Sequence, residues 1–92
     1  MPEHLDVVRF VVGAREIQIA WTLAAELTDR CTRSDNAITR EVADRMRAVG
    51  ATRPVALTSE QLVALLTVLE RWEIEAETGR LLRLAIADEL GV

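Results

Sequence analysis

Residues 58–72 read T-S-E-Q-L-V-A-L-L-T-V-L-E-R-W, and no other stretch limits the fold so strongly. Thr58 suits a helix N-cap: its hydroxyl can accept from the backbone N–H three residues on, while the Gln61 side chain reaches back to the Thr58 N–H. Glu60 puts a negative charge in the first turn, where the helix dipole is positive. From Leu62 to Leu69 every residue except Thr67 is apolar. A helix apolar on nearly all sides has to be covered from several directions. A chain of 92 residues buries only about 60–65% of the surface its unfolded form exposes. Part of the cover is therefore expected from a second copy or from another protein.

This length is one domain, expected to span residues 1–92 as a single helical unit. The punctuation is sparse: Pro2 and Pro54, with Gly13, Gly50, Gly79 and Gly91. A fold of many short strands needs a turn every ~8–12 residues, so the expected class is all-α, a small bundle of three to four helices with a long C-terminal helix. Phe10, Trp21 and Trp72 are the only aromatics. Leu, Val, Ile and Ala must fill the core, with both tryptophans expected in core or interface. No internal repeat, low-complexity tract or second domain is visible.

Residues 5–23 support two patterns. Pro2 and Glu3 suit a first helical turn, and a helical stripe runs through Leu5, Val8, Val12, Ile19, Leu23 and Leu27, missing one turn near Arg15 and Glu16. The rival is a β-hairpin. Val7, Val8, Phe10, Val11 and Val12 form a largely β-branched run, while Ile17, Ile19, Trp21 and Leu23 alternate with Gln18, Ala20 and Thr22. Gly13-Ala14-Arg15 would then be the loop. The continuation Ala24-Ala25-Glu26-Leu27 favours helix, with the hairpin as the alternative.

Ser34 or Asp35 opens the next helix, with Ile38, Val42, Met46 and Val49 on one face and Gly50 as its stop. Pro54 fixes extended backbone in the connection, where Val55-Ala56-Leu57 suits a short strand or a stretch over the core. In the C-terminal segment, Leu62, Leu65, Leu69, Trp72, Ala76 and Gly79 alternate steps of three and four. The seam resumes at Leu82, Ile86 and Leu90. Because it stays nearly in phase, one long helix is favoured over a break at Gly79; an interior Gly costs only about 1 kcal/mol.

The net charge of −4 disfavours general attraction to nucleic acid or anionic lipid. No basic-then-apolar leader and no apolar run of about 18 residues is present. A cytoplasmic setting is expected. Cys31 is the only cysteine, so no internal disulfide forms. His4 is the only histidine, which leaves neither a zinc site of His and Cys nor a Ser-His-Asp triad within one chain. No glycine loop cradles a phosphate. No metal and no cofactor is expected, and an enzyme is not the favoured class.

The favoured function is a small helical protein–protein interaction module, regulatory, adaptor or assembly in kind. It would associate through the C-terminal helix, with a second copy of itself as the expected partner and Leu62, Leu65, Leu66, Leu69 and Trp72 as the contact. Two alternatives come from other classes. All eleven basic residues are arginine, and residues 30–53 hold six of them against Asp35, Glu41 and Asp44. A nucleic-acid-binding regulator would use Arg40, Arg45, Arg47 and Arg53 of that segment. A Mg²⁺-dependent phosphohydrolase of helical type would use Glu70, Glu73 and Glu77 with Glu41 or Asp44, since acids three or four apart share a helix face.

Overall fold

A computed structural model describes residues 7–50, 52–74 and 76–92. The N-terminal region overturns the all-α expectation. V-V-R-F-V-V forms β1 (Val7–Val12) and R-E-I-Q-I-A forms β2 (Arg15–Ala20). β-Branched side chains lose rotamer freedom in a helix and pack well on a pleated strand. Gly13 takes φ +61 while Ala14 does not enter the left-handed region, as in two-residue hairpin turns with Gly at the first central position. The antiparallel register pairs Val8 with Ile19, Phe10 with Ile17 and Val12 with Arg15. Val8, Phe10, Val12 and Ile19 are buried on the inner face. The helical reading fails for an identifiable reason: residues four apart share a face in a strand as well as in a helix. The step from Val8 to Val12 cannot tell the two apart. Leu5 of that stripe, and the first turn read at Pro2 and Glu3, lie outside the described residues.

β2 runs straight into α1 (Trp21–Thr32), with Ala20 as an N-cap that offers no side-chain hydrogen bond. Trp21 and Leu23, which alternate like strand residues, are therefore helical. α2 (Ala37–Val49) starts after Asn36, whose Oδ1 accepts from the N–H of Ile38 at 2.8 Å and of Thr39 at 3.2 Å. That start lies slightly later than Ser34 or Asp35. Gly50 ends the helix, its N–H donating to Met46 O. β3 (Val55–Ala56) joins β1 in parallel, giving the sheet order β2-β1-β3.

α3 (Ser59–Glu70) has the reciprocal cap read from the sequence. Gln61 N–H donates to Thr58 Oγ1 at 3.2 Å, and Thr58 N–H donates to Gln61 Oε1 at 2.9 Å. The single long C-terminal helix is corrected: α3 stops at Glu70, and α4 (Glu77–Leu90) starts after a short connection. Glu70 and Glu73 oppose the negative end of one helix dipole, whereas Glu77 favours the positive end of the next. Gly79 lies inside α4 and allows a close approach. A Cβ there would meet Ile74 Cγ2 at 2.6 Å and Leu23 Cδ2 at 3.1 Å.

Among the described residues the fold is thus α+β, four helices with a three-stranded mixed sheet. It also contains a repetition that the sequence hides. Ala24, Leu27 and Cys31 are buried along α1 in the spacing of Leu62, Leu65 and Leu69 along α3. Thr39, Val42 and Met46 of α2 correspond in the same way to Gly79, Leu82 and Ile86 of α4. Each helix pair follows a strand. Among the described residues, no helix is long and apolar enough to cross a membrane.

Candidate protein-interaction surface

α4 turns Gly79, Leu82, Ala85 and Ile86 inward. At 3.6 residues per turn the opposite side carries Glu77, Arg80, Leu81, Leu84 and Asp88. Leu81 is 46% exposed and Leu84 59%. Asp88 is tied back to the sheet: Arg15 Nη2 lies 2.7 Å from Asp88 Oδ2 and donates to Ala85 O at 3.5 Å. This contact ties α4 to β2 while Leu81 and Leu84 face solvent.

A second feature lies between α3 and the start of α2. A groove of about 480 Å³ runs from Glu60 to Arg71, with Ile38, Val63, Ala64 and Val68 among its apolar lining. Val63 is 53% exposed. At the Arg71 end an adjoining hollow of about 320 Å³ is lined by Arg30, Arg33, Ser34 and Val68 together with Arg71. Arg30 pairs with Glu26 at 3.0 Å and stacks 4.2 Å from the Trp72 ring centroid. Arg33 pairs with Asp29 at 2.8 Å. The groove therefore has an apolar middle, an acidic end and a basic end.

The contact residues named from the sequence lie elsewhere. Leu62, Leu65, Leu66 and Leu69 are all buried, and α3 packs against α1, α2 and α4 of its own chain. Their cover is already supplied, so the premise that they need a partner no longer holds. Trp72 is half-buried beneath Arg30. Trp21, expected in the core or an interface, is 51% exposed beside a 260 Å³ hollow between β1, α1 and α2.

The arginines of residues 30–53 do not gather on one surface. Arg40 Nη1 donates to Ser34 O at 2.8 Å, at one end of α2. Near the other end Arg47 pairs with Asp44 at 3.1 Å and reaches Thr32. Asp44 falls between those two arginines on one helical stripe. Arg45 is exposed on a different side of α2, and Arg53 lies in the connection to β3.

Nor do the acids assemble. The break between α3 and α4 takes Glu70, Glu73 and Glu77 off the single helix face they were read on, and Glu41 and Asp44 sit on α2. Among the described residues no three His, Cys, Asp or Glu side chains group as a metal site. Cys31 is buried, and burial pushes its thiol up to about 11, the opposite of what an activated nucleophile needs.

Leu81, Leu84 and Val63 are the surface residues that sequence reasoning missed. Their signal was present: Leu81 and Leu84 fall off the Leu82–Ile86–Leu90 seam, and Val63 falls off the Leu62–Leu65–Leu69 seam. An apolar residue off the seam is left for solvent or a partner. No family model matches this chain, and neither a curated protein nor a solved structure matches it.

Proposed function

We propose that this chain is a small protein–protein interaction module that associates with a second copy of itself through the outer face of α4. The observation that carries the reading is the pair of exposed leucines, Leu81 and Leu84, one turn apart on that face. A single exposed leucine is ordinary. Two on one helix face, where the other leucines among the described residues are buried or half-buried, make an apolar strip.

Magnitudes indicate how far the strip goes. Burying a leucine completely is worth about 1.5–3 kcal/mol, so four half-exposed leucines in a pair of chains supply about 3–6 kcal/mol. Association costs about 4–15 kcal/mol in lost freedom. The leucines alone barely meet the lower bound, so a second surface has to contribute.

Sedimentation velocity across a hundredfold concentration range tests the proposal. The wild type is expected to shift toward a heavier species with concentration, while Leu84→Asp stays at 10.2 kDa with unchanged circular dichroism. A wild type that remains monomeric throughout, or a Leu84→Asp variant that associates equally well, contradicts it.

A further inference from the structure

Resting on that reading, we infer that the surface α4 meets on the second copy is the groove between α2 and α3. Glu60, Val63, Thr67 and Arg71 form a stripe along the groove side of α3. Glu77, Leu81, Leu84 and Asp88 form one along the outer side of α4. At 1.5 Å per residue each stripe spans about 16 Å, with charge at both ends and mostly apolar residues between.

Charge gives these two stripes a way to meet. With α4 antiparallel to α3, Glu77 reaches the basic end formed by Arg71 and Arg33. The Asp88–Arg15 pair then meets Glu60, to which Arg15 offers a cation. Leu81 and Leu84 fall on Val63, Val68 and Ile38, apolar side chains that the groove leaves open. Antiparallel helices also set opposite ends of their dipoles together.

Such a contact joins two different surfaces, so it closes as a reciprocal pair or ring, or continues as a chain. That asymmetry gives a test that α4-to-α4 packing fails. Leu84→Asp disables the α4 face and leaves the groove intact. Val63→Asp disables the groove and leaves α4 intact; both side chains are more than half exposed, and circular dichroism confirms that each variant folds. Each is expected to stay monomeric alone, while an equimolar mixture forms a 1:1 complex by light scattering.

Failure to associate in the mixture overturns the groove assignment. So does a Val63→Asp variant that associates like the wild type, although self-association through α4 would survive that result. A monomeric wild type overturns both. As a second reading, Arg71→Glu is expected to weaken association about tenfold or more, and adding Glu77→Arg in the same chain to recover it. No recovery contradicts the pairing of those two residues.

Discussion

β2–α1–α2 and β3–α3–α4 bury their helices in the same phase, yet they are held in opposite ways. β2 pairs with β1 along its whole length, from Arg15 to Ala20, and α1 follows with no side-chain cap at Ala20. β3 pairs with β1 only at Val55 and Ala56, and α3 follows with a complete reciprocal cap at Thr58 and Gln61. Where the sheet sets the direction of the chain, the helix start needs little of its own. Where the strand is almost absent, the helix carries its own start signal. The start of the second unit is consequently legible in the sequence, and the start of the first is not.

The largest test of this comparison is in the core. Leu27 and Leu65 occupy corresponding positions and are both fully buried. Leu27→Ala and Leu65→Ala are each expected to cost about 2–5 kcal/mol in urea unfolding, with circular dichroism and tryptophan fluorescence following one transition. Two separated transitions would mean that the units fold independently. Gly13→Ala comes next. It forces a side chain into the left-handed region and brings its Cβ against the Glu89 carboxylate, for a loss of about 1–2 kcal/mol. Glu89→Ala should relieve the contact but not the backbone strain.

The caps give smaller effects. Thr58→Ala should lose about 1 kcal/mol, and Ala20→Ser should gain up to about as much, because Ser can accept from the open N–H groups of α1. A loss at Ala20→Ser would show that the strand, not the missing cap, limits that junction.

The last test uses Cys31, buried in the first unit where Leu69 is buried in the second. Its thiol is raised from 9.0 to about 11 by burial, so the unfolded chain releases that proton first. The stabilisation is complete below pH 9 and falls away as pH rises through 11. The chain has no lysine and no tyrosine, so no other side chain titrates in that window. Unfolding free energy is expected to fall with pH there, and Cys31→Ala to remove most of the slope.

Much of the second unit could be read in advance: the Thr58 cap, the apolar seam of Leu62, Leu65 and Leu69, and the brief strand at Val55. In the first unit, α2 was legible from its one apolar stripe. The hairpin was hidden because spacings of four serve both periods, and its decisive signals, a β-branched run and a Gly-first turn, were outweighed by helix formers downstream. The α3–α4 break had no Gly or Pro to mark it; only the acids at Glu70 and Glu73 argued against continuation. The candidate contact was misplaced because a helix apolar all round was assigned to a partner. The chain's own α1, α2 and α4 cover it instead.

Methyl NMR of selectively labelled leucine and valine, recorded over a hundredfold range of concentration, addresses the central claim most directly. The Leu81, Leu84 and Val63 methyls are expected to move together as concentration rises, while those of the buried Leu65 and Leu82 stay in place. Spectra that do not change, or shifts confined to another surface such as the one around Val11, would contradict self-association through α4.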